Sequence, residues 1–116
     1  DSPRARAIHA SLLEAKAQVI QDDADVDGKK VLGRTLWALY AAENAGSEKG
    51  LTTKDTSALL SLAADIEVFA TNIGRACRDH DELIAESEPD GRSKRYRLTE
   101  AGRKAAADIA TRPIEG

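Results

Sequence analysis

The sequence contains few aromatic residues: one Trp, one Phe and two Tyr among 116 residues. Alanine is abundant instead, and such a composition favours helices that pack closely through small contacts. The few large side chains are then expected to anchor the core; they are Trp37, Tyr40, Phe69 and Tyr96. This composition predicts a mostly α-helical fold.

Cysteine is almost absent, since Cys77 is the only one, and an internal disulfide is excluded. No apolar run is long enough for a signal peptide or a membrane span. We therefore expect a soluble protein of the reducing cytoplasm. The length suits one domain. The sequence begins at Asp1 without a methionine, and we expect a processed product or a fragment of a larger protein.

The net charge is only −3, but the charges are unevenly distributed. Four aspartates crowd one early stretch: Asp22, Asp23, Asp25 and Asp27. Four basic residues lie near the end of the chain with no acid among them: Arg92, Lys94, Arg95 and Arg97. Because the distribution of charge matters more than its sum, we expect a positive edge on the molecule.

Hydrophobic periodicity divides the chain into an N-terminal amphipathic helix (1–22), an acidic linker (23–28), one domain (29–110) and a tail (111–116). The first helix begins at the Ser2-Pro3 cap and runs to about Gln21. Three more helices are predicted inside the domain, over Lys29 to Asn44, Thr53 to Ala63 and Glu67 to His80. The residues Ala45-Gly46-Ser47 and Ala64-Asp65-Ile66 separate them.

The helix predicted over 67–80 has two distinct faces. The spacing places Phe69, Ile73, Ala76 and His80 inward. Thr71, Arg75 and Arg78 then project from the opposite face, and Asn72 lies on its flank. Val68 is expected on the exposed side.

The period changes after this helix, and a β-hairpin is predicted. Two short strands, Leu83 to Glu88 and Arg92 to Leu98, flank a Pro89-Asp90-Gly91 turn. Tyr96 and Leu98 alternate with Arg95 and Arg97, so one face can pack on the helices while guanidinium groups face solvent. Thr99 is expected to cap a last helix that runs to about Ala110.

This order of elements, with the string Arg95-Tyr96-Arg97-Leu98-Thr99-Glu100-Ala101-Gly102-Arg103, resembles the winged helix-turn-helix superfamily, and in particular the wing exit of MarR-type and PadR-type bacterial regulators. The resemblance covers Lys29 to Ile109. It implies a mostly α fold with a small two-stranded hairpin (α+β), extended by an extra N-terminal helix and a C-terminal helix.

The resemblance also implies a cytoplasmic, nucleoid-associated transcription regulator, or a larger DNA-acting protein, that binds double-stranded DNA. The helix over 67–80 would lie in the major groove and the basic wing (88–97) on phosphates. Arg can bond to guanine, Asn to adenine, and Thr to phosphate or a thymine methyl group. The expected DNA-binding residues are Thr71, Asn72, Arg75, Arg78, Arg92, Lys94, Arg95 and Arg97.

A second function stays open, because the acidic stretch Asp79-His80-Asp81-Glu82 is unfavourable near phosphates. The chain would then be a winged-helix module for protein interaction or dimerisation. Its first and last helices would form a homodimer seam, since apolar residues make a broad surface on the first helix: Ile8, Leu12, Leu13, Val19 and Ile20.

Two stretches of the sequence resemble metal sites, but a simpler interpretation is favoured for each. Asp23 to Gly28 matches half of an EF-hand loop, but Arg34 occupies the position that needs a bidentate Glu, which favours a solvated linker. Cys77 and His80 are three apart on a helix, yet no second ligand pair exists, which favours a buried Cys. No enzyme, cofactor, metal or small-molecule ligand is expected.

Overall fold

A computed structural model describes residues 2–16, 26 and 28–110 of the chain. These residues form five helices and a three-stranded antiparallel sheet, which confirms the α+β class. In chain order the elements are α1 (Pro3–Glu14), α2 (Lys30–Asn44), β1 (Leu51–Thr52), α3 (Thr53–Ala64), α4 (Ala70–Asp79), β2 (Ile84–Asp90), β3 (Ser93–Leu98) and α5 (Glu100–Ala110).

Helix α1 begins as predicted but ends early. Ser2 accepts a hydrogen bond from the Ala5 amide, and Pro3 occupies the first turn. The helix stops at Glu14, since Lys16 adopts a left-handed φ of 53° and its amide bonds to the Leu13 carbonyl. The predicted helix to Gln21 is therefore too long. The rest of that stretch and most of the acidic linker lie outside the described residues.

Helix α2 is central to the core. Leu32, Leu36 and Trp37 are all buried on it, and it packs against α3, α4, α5 and β3. It ends where the sequence predicted, because Gly46 takes a φ of 94° and the Ser47 amide bonds back to the Ala42 carbonyl. Glycine is favoured at such a left-handed position after a helix. Helix α1 packs mainly on α3.

The sheet has one strand more than predicted. Leu51 of β1 pairs with Tyr96 of β3, and the strand order is β1-β3-β2. A strand of two residues is too short to show alternation in the sequence. Gly50 precedes it with a φ of 86°, and a side chain there would overlap the Tyr96 carbonyl. The predicted two-stranded hairpin is therefore part of a three-stranded sheet.

The turn of the hairpin is tighter than predicted. Asp90 pairs with Ser93, so the turn consists of Gly91 and Arg92, while Pro89 lies within β2. Gly91 has a left-handed φ of 64°, a conformation that glycine adopts readily in a tight turn. The register shifts between Ser87 and Asp90, and proline is tolerated at such an irregularity on an edge strand.

The start of α4 corrects two predictions. The helix begins at Ala70, and Phe69 is its N-cap residue with its side chain 65% exposed, so it does not anchor the core. Val68, expected outside, is buried together with Ile66. Residues 65–69 alternate between exposed and buried because they are not helical, and a helical period therefore placed both side chains on the wrong face.

Helix α5 begins at the predicted cap. The Thr99 hydroxyl accepts a hydrogen bond from the Gly102 amide at 3.0 Å and donates one to the Glu82 carbonyl at 2.7 Å. Ala106 and Ile109 are buried, and the helix packs against α2. The apolar face of α5 is thus used within the chain itself.

Candidate functional site

The outer face of α4 carries the polar residues that the sequence placed there. Thr71, Asn72, Arg75 and Arg78 are exposed. Ile73 and Cys77 on the other side are buried and fix the helix on the core, and Gly74 is buried beside the side chain of Arg78. Ala76 and His80, expected inward, are half-buried at the border of the two faces. The helix therefore presents a polar surface from a rigid support.

A cavity of about 340 Å³ lies where α3, α4 and β3 meet, and we call it the junction cavity. The first residues of α3, Thr53 and Lys54, form one wall. Thr71 and Arg78 of α4 form the second, and Lys94 of β3 stands opposite. Three cationic side chains thus surround one opening, beside the N-terminal end of α3, where the helix dipole favours an anion.

Gly74 explains how Arg78 reaches this cavity. A Cβ on Gly74 would lie 3.2 Å from Nη1 of Arg78 and 3.6 Å from Cγ2 of Thr53. The guanidinium group therefore lies back over the glycine, toward the start of α3. A larger residue at this position would push Arg78 away from the cavity.

Lys94 has a weak competing partner. Its Nζ lies 3.8 Å from a carboxylate oxygen of Glu86, and both side chains are more than half exposed. An exposed ion pair of this length contributes little and is screened by salt. Lys94 can therefore exchange Glu86 for another anion.

The basic residues of the hairpin do not all face α4. Lys94 shares a face of β3 with Tyr96, which lines the junction cavity. Arg95 and Arg97 point to the opposite face of the sheet, as strand alternation predicted. Arg97 is exposed, whereas Arg95 is half-buried and donates from Nη2 to the Pro89 carbonyl at 3.4 Å. Arg92 is exposed in the turn.

The eight predicted site residues therefore form three groups and one outlier. Thr71, Arg78 and Lys94 share the junction cavity. Asn72 and Arg75 line a smaller cavity of about 220 Å³ on the other flank of α4. Arg95 and Arg97 lie behind the sheet, and Arg92 stands alone at the tip of the hairpin.

The sequence interpretation missed the residues outside α4 and the hairpin that join these groups. Thr53 and Lys54 enter the junction cavity from α3, and Lys29 lines the smaller cavity with His80. The sequence does predict a cap for α3 within residues 50–53, and the Thr52 side chain is that cap, since it accepts a hydrogen bond from the Asp55 amide at 3.1 Å. A capped helix start followed by a lysine favours an anion site. Only the tertiary fold shows that Arg78 and Lys94 lie across the cavity from it.

Acidic groups border this basic surface on two sides. Asp79, Asp81 and Glu82 are exposed at and beyond the C-terminal end of α4. The pKa of Glu82 is lowered, mainly because its carboxylate accepts a hydrogen bond from the Glu82 backbone amide and, to a smaller extent, because it contacts His80. This carboxylate is therefore ionised at neutral pH. Across the start of α4, Glu67, Asp55 and Asp90 line a cleft of about 610 Å³. The junction cavity, which lies between these two acidic groups, therefore favours an anion.

Cys77 takes no part in this surface. It is 3% exposed, and burial raises the pKa of its thiol to about 12. A buried protonated thiol is a poor nucleophile and a poor metal ligand. Across residues 2–16, 26 and 28–110, no group of three His, Cys, Asp or Glu side chains is arranged to hold a metal ion. The EF-hand-like stretch is mostly outside these ranges.

In the part of the chain that the structure describes, no helix has the length and apolar character needed to cross a membrane. Comparison with known proteins found no protein-family model, no curated protein and no solved structure that matches the chain.

Proposed function

We propose that the chain is a winged helix-turn-helix domain that binds double-stranded DNA, with α4 in the major groove. The order α2, β1, α3, α4, β2, β3 and the sheet order β1-β3-β2 fit three helices followed by a β-wing. The junction cavity carries the proposal, because it joins the start of α3, the outer face of α4 and the hairpin in one basic surface.

The cavity fits a backbone phosphate. Lys54, Arg78 and Lys94 supply positive charge from three different elements, and the N-terminal end of α3 adds the positive end of its helix dipole. Phosphate contacts fix the register of a protein on the duplex without reading its sequence. A phosphate held here would place the outer face of α4 beside the base edges.

Sequence would be read by the remaining polar residues of α4. Asn72 and Arg75 are exposed next to one another on the helix. Asn can bond bidentately to adenine and Arg to guanine. Arg95 and Arg97 have a smaller share in this arrangement, since they lie behind the sheet, whereas Arg92 at the turn can reach a neighbouring phosphate.

Salt dependence tests the proposal. Fluorescence anisotropy with a random-sequence duplex should show affinity that falls steeply with salt, because each neutralised phosphate contributes about −0.9 to the slope of log K against log salt. Replacing Lys54 and Lys94 together by Ala should reduce the steepness by about 2. Lys104→Ala, at an exposed position of α5, is the matched control. Lack of binding at low salt would refute the proposal.

Base preference needs a separate measurement. In a selection from random duplexes, Asn72→Ala and Arg75→Ala should each relax the base preference at one position of the site. Each variant should lose about 1–3 kcal/mol of binding free energy for the duplex with the preferred base. Lys54→Ala should weaken all sequences alike. If the Asn72 and Arg75 variants select the same sequences as the wild type, α4 does not read the bases.

Association through α1 is the second candidate function, and one observation favours it. Leu13 of α1 is 66% exposed, although Ile8 on the same helix is buried in the core. Burial of Leu13 against a second copy would remove this apolar surface from water. Light scattering of the wild type and of Leu13→Asp tests it: a dimer that the substitution dissociates supports the seam, and a monomeric wild type excludes it.

A further inference from the structure

The single phenylalanine of the chain lies at the surface, at the start of α4. Phe69 is 65% exposed, whereas Trp37 is 3% and Tyr96 is 8% exposed. Aromatic side chains stabilise cores and interfaces through the large apolar area that they bury. We therefore expect the exposed Phe69 ring to contact a binding partner.

The backbone holds Phe69 firmly to α4. Its carbonyl accepts hydrogen bonds from the amides of Asn72 at 3.0 Å and Ile73 at 3.1 Å. The preceding Val68 is buried, and its carbonyl accepts a hydrogen bond from the Ser57 hydroxyl at 2.6 Å. The ring is thus displayed from a fixed point, not from a loose loop.

The exposed residues within three sequence positions of Phe69 are polar: Glu67, Thr71 and Asn72. A protein-docking surface is usually a contiguous apolar patch of several hundred Å², which these neighbours interrupt. The carboxylate of Glu67 repels a phosphate but can accept a hydrogen bond from the amino group of cytosine. The start of α4 therefore suits the base edges of a groove.

We propose that Phe69 reads a thymine by packing its ring against the 5-methyl group of the base. This inference rests on the proposed DNA binding, in which the start of α4 enters the major groove. The thymine methyl is the apolar group that the base pairs present there, and phenylalanine is one of the side chains that contact it. The thymine lies next to the base that Asn72 contacts.

Replacing thymine by deoxyuridine tests the contact, because only the methyl group is removed and all hydrogen-bonding groups stay. In a duplex selected by the wild type, one such replacement should weaken binding about fourfold, the value of one buried methyl group. Phe69→Ala should bind the thymine and deoxyuridine duplexes equally. Leu62→Ala, at a 43% exposed position of α3, should keep the difference and is the matched control.

These measurements distinguish a failure of the thymine contact of Phe69 from a failure of the proposed DNA binding. A wild type that binds duplexes with the expected salt dependence but ignores every deoxyuridine replacement overturns the role of Phe69 alone. The same holds if Phe69→Ala still binds the thymine duplex more tightly than the deoxyuridine duplex, even when its affinity for both has fallen by the same factor. It also holds if Phe69→Ala changes the oligomeric state of the protein in light scattering. A wild type that binds no duplex overturns both.

Discussion

Gly102 of α5 packs directly against the main chain of Leu83, so closely that a Cβ on Gly102 would overlap the Leu83 carbonyl oxygen. That carbonyl also accepts a hydrogen bond from the Thr99 amide at 3.0 Å. The connection after α4 and the start of α5 are therefore held together through a position that admits no side chain.

Gly102→Ala should destabilise the protein by about 1–3 kcal/mol, because the obstacle is backbone and cannot rotate away. Gly74→Ala is the matched control in another helix, where the nearest obstacle is the mobile end of Arg78. It should stabilise by up to about 1 kcal/mol through helix propensity. Urea unfolding measures both. Equal effects of the two substitutions would contradict the close packing of α5.

Local chemistry explains which parts of this fold the sequence predicted. The caps at Ser2 and Thr99, the helix break at Gly46 and the turn at Gly91 depend on neighbouring residues only, and all four are found. The sequence predicts a short extended entry to α3 over residues 50–53, but not its pairing as β1 with residues more than forty positions away. The α+β class was therefore predicted, and the sheet only in part.

The candidate site follows the same rule. The sequence identified the outward residues of α4, because helical spacing is local. It also grouped Arg95 and Arg97 with Lys94 as one basic wing, although strand alternation places them on opposite faces. The packing of α3, α4 and β3 against one another determines which cationic side chains share a cavity. This packing cannot be predicted from a single sequence by local patterns.

Val68 and Phe69 exchange the roles that helical periodicity gives them. Val68→Ala should cost about 2 kcal/mol of stability, because it removes buried methyl groups and leaves a cavity. Phe69→Ala should change stability by less than about 0.5 kcal/mol, as expected for an exposed side chain. Chemical denaturation of both variants checks this. A larger loss for Phe69→Ala than for Val68→Ala would restore Phe69 to the core.

Ser2 links α1 to α3 in addition to capping α1. Its hydroxyl donates to Asp55 at 2.6 Å, and the side chain is 7% exposed. Ser2→Ala should therefore cost about 2 kcal/mol, more than a cap alone. Ser11→Ala, at an exposed position of the same helix, should be nearly neutral. The prediction fails if thermal unfolding shows the two variants to be equally stable.

Lys94 and Arg97 differ in their predicted effect on DNA affinity, although both belong to the basic strand. Lys94→Ala should lower the steepness of the salt dependence by about 1, since Lys94 faces the junction cavity. Arg97→Ala should lower it by less than half as much, because its side chain lies on the opposite face of β3. Anisotropy titrations at several salt concentrations measure both. A larger effect of Arg97 would place the DNA behind the sheet.

Cys77 should make the protein less stable at alkaline pH. Burial raises the pKa of its thiol from 9.0 to about 12 in the folded state, so the unfolded chain releases the proton first. The contribution of the thiol to the free energy of unfolding is complete below pH 9 and is lost as the pH rises toward 12. At pH 10 the loss is on the order of 1 kcal/mol. Urea unfolding of the wild type and Cys77→Ala isolates this contribution from other alkaline titrations, which both proteins share. The stability of the wild type should fall more steeply between pH 8 and pH 10, and parallel curves would mean that the thiol is not buried.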